Sequence, residues 1–198
     1  HLNLPISIVF PHSGTRKRNI YYLYDASGAK KKNTYNYVGR GVARTDTVDY
    51  LGGFQYKNGV LQFFPTSEGY AKAPQLGDLP AFSYIYNYTD HLGNVRLSYG
   101  DTDRNGIISP VDEIVEENNY YAFGMKHEGY NYNAGDGIYK YKYNGKEFQD
   151  ELGLNMYDYG ARNFDPAIGR WMNIDPLAEI GRRHSPYNYA MNNPVLFI

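Results

Sequence analysis

The chain places tyrosine at 23 of its 198 positions, and in two stretches the rings fall at every second residue. Tyr84, Tyr86 and Tyr88 alternate with Ser83, Ile85 and Asn87; Tyr139, Tyr141 and Tyr143 alternate with Lys140 and Lys142. A period of two sets the rings on one face of an extended strand, whereas a helix would scatter them around its axis. Tyrosine suits a sheet with a moderately wet face, because the ring buries apolar area while the hydroxyl keeps a hydrogen bond. Aromatic residues make up 17% of the chain, which favours strands over helices. The fold class read from this pattern is all-β.

Turn signals divide the rest. Glycine, at 21 residues, exceeds the usual share of about 7%. The spacing predicts strands within Leu2–Phe10 and over Ile20–Tyr24, Thr34–Gly39, Thr47–Gln55 and Val60–Phe64. Lys57-Asn58-Gly59 is a hairpin signal, His12–Asn19 reads as a basic turn, and residues 65–82 read as a long loop. Helix is expected only near Glu147–Leu152 and Pro176–Gly181, one or two short turns each. Tyr24–Gly28, Thr89–Asn94 and Tyr121–Met125 each place a Gly shortly after an aromatic or Asp-bearing strand end. They read as a degenerate strand–turn–strand repeat, a unit that cannot bury a face alone and must stack on its neighbours.

Several function classes are excluded. Lys and Arg number 20 against 21 Asp and Glu, which lacks the basic excess a general nucleic-acid binder uses to neutralise phosphates. No apolar run approaches the roughly 20 residues of a membrane helix. The absence of cysteine rules out disulfides, thiolate metal sites and cysteine nucleophiles. Neither GxGxxG or Walker spacing nor G-x-S-x-G occurs. His1 follows no signal-like stretch and Ile198 closes the apolar run Pro194–Ile198, so the chain reads as part of something longer.

Tyr88-Thr89-Asp90-His91-Leu92-Gly93-Asn94-Val95-Arg96 resembles the signature of RHS/YD-repeat proteins. Tyr143–Glu147, Leu152–Pro166, Gly169–Pro176 and Tyr187–Val195 resemble, in order, the RHS repeat-associated core domain. The motif wording is most similar to RHS proteins of Bacteroidetes-type bacteria, and residues 1–83 match only loosely. The resemblance implies a β-sheet spiral that forms part of a hollow shell, ending in an inward-curling plug and enclosing a variable C-terminal toxin. It divides the chain into divergent repeat-like strands (1–83), repeat strands with an acidic loop (84–142) and the core or plug (143–198).

The resemblance also implies a catalytic pair, Arg162 and Asp175, acting with a third, downstream Asp in self-cleavage just beyond the core domain. Two carboxylates forced together cannot both ionise, so one keeps its proton and acts as acid. The guanidinium of Arg162 would orient the other. The third Asp would follow Asn192-Asn193-Pro194, and the alternative reading of Arg162 and Asp175 is a structural ion pair. Asp101–Asp112 fits an EF-hand-type loop, with Asp101, Asp103, Asn105, the Ile107 carbonyl and Asp112 as oxygen ligands for Ca2+. Its alternative is an acidic hairpin loop whose Asn-Gly makes the turn. His91 and His184 read as turn and surface residues, and Trp171 as core.

Three functional readings follow from the resemblance. The chain is a shell-and-plug segment of a large secreted or cell-surface RHS protein, partnered by the rest of the shell and its enclosed effector. Alternatively it is an aspartyl-type self-cleaving endopeptidase releasing downstream cargo. The third reading is an exported, adhesin-like passenger bound to a bacterial secretion translocon.

Overall fold

The structure, a computed structural model, describes residues 4–11, 18–74, 81–129 and 135–197. Most of the expected basic turn, residues 75–80 of the expected loop and both chain ends lie outside the described residues.

Ten strands pair in chain order as one antiparallel meander. They are β1 (Ser7–Val9), β2 (Asn19–Tyr24), β3 (Lys30–Gly39), β4 (Val42–Leu51), β5 (Phe54–Lys57), β6 (Val60–Pro65), β7 (Gly69–Lys72), β8 (Ser83–Thr89), β9 (Val95–Tyr99) and β10 (Ile114–Glu117). Four short strands form a second sheet: β11 (Glu147–Gln149), β12 (Met156–Asp158), β13 (Asn163–Asp165) and β14 (Arg170–Trp171). The all-β expectation holds. The first sheet runs unbroken through residue 83, where the sequence reading divided the chain.

Local chemistry explains the meander. At the β5–β6 hairpin, Asn58 (φ 50°) and Gly59 (φ 80°) both take positive φ, the requirement of the two-residue turn that matches strand twist. The Asn58 carboxamide also accepts a hydrogen bond from the Thr47 amide at 2.8 Å. The three glycine turns are one structure repeated: the amides of Gly28, Gly93 and Gly124 donate to the carbonyls of Asp25, Asp90 and Tyr121. In the first two, the Asp side chain accepts further backbone amides, Ser27 and Ala29 in one and Leu92 and Asn94 in the other.

Alternation reads correctly in β8, where Ile85 is buried while Tyr84, Tyr86 and Tyr88 are exposed. The opposite, inner face of the ten-stranded sheet is covered by the C-terminal part of the chain. Phe63, Tyr70 and Ile85 meet Ile138, Tyr139 and Tyr141, with the Tyr70 and Tyr139 rings stacked at 4.1 Å. Ile20, Tyr22 and Tyr35 meet Leu152 and Leu154. A third cluster, Tyr143, Tyr157, Phe164, Trp171 and Tyr189, holds the four-stranded sheet and its flanks together. Full burial of a side chain such as Phe63 or Phe164 contributes about 1.5–3 kcal/mol.

Four expectations are corrected. Thr47–Gln55 is not one strand: Gly52 and Gly53, both at positive φ, turn the chain between β4 and β5. Residues 65–82 contain β7, paired on both sides. Tyr139–Tyr143 forms no sheet strand: Tyr141 makes an isolated bridge to Glu147, and Tyr143 opens a 3-10 turn. Tyr139 and Tyr141 pack on the first sheet, and Tyr143 belongs to a different cluster. Glu147–Leu152 becomes β11 followed by a 3-10 turn at Glu151–Gly153, and Pro176–Gly181 is a run of turns. Two further 3-10 turns lie at Tyr143–Gly145 and Ala190–Asn192.

Candidate functional site

Two polar arrangements lie in the covering part of the chain and one in the loop between β9 and β10. The first is the seam between the sheets. Lys30 of β3 points its ammonium at Glu147 of β11 and, at 2.6 Å, at Asp158 of β12. The three side chains are 14%, 9% and 7% exposed. Tyr50 donates its hydroxyl to Glu147 at 2.6 Å, Gln55 donates to the same oxygen at 3.2 Å, and the Lys30 ammonium lies 4.6 Å from the Tyr50 ring centre. Tyr22 reaches across to Gln149 at 2.9 Å. Burial alone would lower the pKa of Lys30, but the carboxylates of Glu147 and Asp158 more than reverse this and hold it raised. Desolvation, then the Glu147 charge, pushes the Tyr50 phenol far up. Such buried charges persist only when paired and hydrogen-bonded, so the network ties the covering sheet to one place on the ten-stranded sheet. Sequence reasoning missed it: Lys30 is 117 residues from Glu147 and 128 from Asp158, and no local motif announces such a contact.

The second arrangement holds Arg162 and Asp175. Arg162 donates from Nη1 to Asp175 Oδ2 at 2.6 Å, while its guanidinium stacks 4.0 Å above the Trp171 ring. The other carboxylate oxygen of Asp175 accepts the Leu177 amide at 2.8 Å. That backbone hydrogen bond first, and Arg162 second, hold the Asp175 carboxyl below its ordinary pKa. The structure therefore brings the two together as an oriented, charged pair. They border a cleft of about 320 Å³, with His184, Asn188 and Tyr189 also on its lining. Among the described lining residues Asp175 brings the one carboxylate, so acid chemistry with two carboxyl groups needs a second from outside this set.

The third is the acidic loop. Asp101, Asp103 and Glu113 each offer a carboxylate oxygen within 4.8 Å of one another. Asp101 accepts the amides of Asn105 and Gly106, and Asn105 accepts that of Ile107, which curls the backbone around the acidic side chains. Ile107 itself is 72% exposed. Asp112 stands apart, exposed and paired with Ser109. Its neighbour Glu113, buried just before β10, takes the inward place and accepts the amides of Thr102, Asp103 and Ser109. The Ser109 amide leads these in holding the Glu113 carboxyl below its usual pKa. Asp112, the residue the spacing from Asp101 singled out, is not within that carboxylate group.

No protein-family model matches the chain. Salivary gland surface protein 1 of Aedes aegypti is 30% identical over 193 residues, which cover 91% of this chain and 5% of that protein. Among solved structures, TcdB2-TccC3-Cdc42 superposes with a TM-score of 0.72 at 20% identity, over 97% of this chain and 9% of that one. TcdB2-TccC3 gives 0.71 at 19% identity over 96% and 9%. The Tc holotoxin pore of Photorhabdus luminescens with a mutated TccC3 gives 0.68 at 21% identity over 97% and 9%. At these identities the likeness is one of fold, and the chain spans a small part of each relative. Among the described residues no helix is long and apolar enough to cross a membrane.

Proposed function

We propose that the chain is a wall-and-cover segment of an RHS-type shell, secreted or displayed outside the cell, that encloses and delivers a toxic C-terminal cargo. The observation that carries this reading is the covered inner face: a ten-stranded sheet keeps its tyrosine-bearing β8 face open, while the chain folds back over the other. A sheet of that length closed on one side by its own continuation is suited to be a wall with an inside. The same fold occurs within TcdB2-TccC3 structures, one of whose names includes Cdc42. The name of the Aedes aegypti relative, a surface protein, fits an extracellular place. Use in competition between bacteria, and origin in a Bacteroidetes-type organism, are the narrower form of the same reading. Limited proteolysis of the full-length protein tests it. Sequence beyond residue 198 should resist protease while the shell is folded and be cut once denaturant opens it. Equal cutting in both conditions contradicts enclosure.

The Arg162–Asp175 geometry supports a second reading, in which the covering part contributes to self-cleavage. Arg162 would hold the Asp175 carboxylate charged and oriented, and a further Asp would supply the acid. Intact-mass measurement of full-length Asp175→Asn decides this: cleavage should stop, and unchanged cleavage removes Asp175 from the chemistry.

The acidic loop supports Ca2+ binding by Asp101, Asp103, Asn105 and the Ile107 carbonyl, with Glu113 in the role first given to Asp112. Millimolar extracellular Ca2+ would suffice for a weak site of this kind. Calorimetric titration should show binding that Glu113→Gln weakens and Asp112→Asn leaves nearly unchanged; equal effects of the two would refute the assignment.

A further inference from the structure

The 3-10 turn Glu151–Gly153 is pressed against the inner face of the first sheet. Leu152 and, beyond the turn, Leu154 pack on Ile20, Tyr22 and Tyr35, and Arg18 donates its guanidinium to the Leu152 carbonyl. Leu152 holds a positive φ of 55°, a conformation strained for a non-glycine residue that persists only when its surroundings enforce it. Within this seat Glu151 is the misfit. Its Oε2 is buried with no hydrogen-bond partner, on the border of a cavity of about 290 Å³ between the sheets that Tyr35, Glu147 and Asp150 also line.

We propose that Glu151 makes the seating of residues 151–154 on the wall proton-dependent, docked when its carboxyl is protonated and loosened when it ionises. Ionisation would leave the buried Oε2 charged with no donor, a desolvation penalty the neutral acid avoids; the backbone amide of Glu151, which hydrogen-bonds its own carboxyl and lowers the pKa, offsets only part of it. The neighbouring side chains do not cancel the remainder. Asp150 and Glu147 are like charges, and Tyr22 of β2 and Tyr35 of β3 are neutral phenols whose own ionisation Glu151 opposes. Lys140 is the countercharge, but it is already bonded to Asp150 at 2.6 Å; Arg18 is bound to the Leu152 carbonyl.

Burial first, then Asp150, raises Glu151 from 4.5 to about 7. The sign follows from proton counting. Between these values the docked state holds a proton that the undocked state has released, so docking weakens as pH rises through this window. The contribution is complete below about pH 4.5 and gone above about pH 7. The shift corresponds to a change in the docking equilibrium on the order of a hundredfold. This device belongs to the seam itself and holds whether or not the chain is part of a shell.

Two measurements test it. Carboxyl NMR of the unmodified chain should place the Glu151 midpoint near neutrality; a midpoint near 4.5 overturns the proposal. Hydrogen exchange, corrected for intrinsic rates, should show protection of the Gly153 and Leu154 amides falling at least about tenfold from pH 5 to pH 8. Glu151→Gln should abolish that fall, and the same pH dependence in the variant overturns it equally.

Discussion

The ten-stranded wall and the part of the chain that covers it solve the same folding problem by different means. The wall is built by neighbours in sequence: every strand pairs with the next, and among its described non-glycine residues only Arg40, Asn58 and Arg104, all in the connections between strands, hold positive φ. The cover has four strands of two or three residues, too short to stand alone. Asn144, Leu152, Asn155, Ala190, Met191 and Asn192 all sit there at positive φ. What holds it is side-chain density, with Tyr159, Phe164, Trp171 and Tyr189 in mutual ring contact. Repeated hydrogen-bonded pairing stabilises the wall locally; the cover depends on cooperation among distant residues.

That contrast can be broken experimentally. Phe164→Ala, at a fully buried site in the cover, should cost about 3–5 kcal/mol in urea denaturation, and a loss under about 1 kcal/mol would deny the aromatic cluster its role. Lys30→Ala should cost about 3 kcal/mol, because two buried carboxylates lose their cation. Lys32→Ala, whose bridge to Asp49 has both side chains 38% exposed, should cost below about 1 kcal/mol. Similar values for the two lysines would mean the seam adds nothing specific. Gly124→Ala should follow at about 2–3 kcal/mol: at φ 81° a new Cβ would lie 2.5 Å from the Tyr143 ring. Its effect should appear as faster exchange in the cover while β3 and β4 keep their protection. Tyr84→Ser, on the open face, should change stability by less than about 0.5 kcal/mol; a larger loss would show that this face is covered after all.

The wall was largely legible because its signals are local. Alternation marks β8, and Asn58-Gly59 marks the hairpin beside β6. Where local signals conflict, the reading slips: Gly52-Gly53 lies inside an apolar run and hides the break between β4 and β5. Gly69–Lys72 lies among prolines and hides β7. The cover misled more deeply. Tyr139, Tyr141 and Tyr143 have the period of a strand, yet the first two pack on the ten-stranded sheet and the third in the aromatic cluster of the cover. Of the candidate sites, the Arg162–Asp175 pair was visible through motif resemblance, and the acidic loop through its spacing, though the proximity of Glu113 to Asp101 and Asp103 was not. The Lys30–Glu147–Asp158 seam left no trace in the chain's linear order.

Residue order alone determined that the chain would be extended, where most turns would fall and that tyrosines would mark strand faces, because each depends on backbone preferences within a few positions. Which face became the inside, which charges were buried together and where one oxygen of Glu151 was left without a partner were decided only when the C-terminal third folded back over the sheet. Burial and electrostatics depend on what lies across the gap, and that neighbour arrives from more than a hundred residues away for Lys30 and Tyr22.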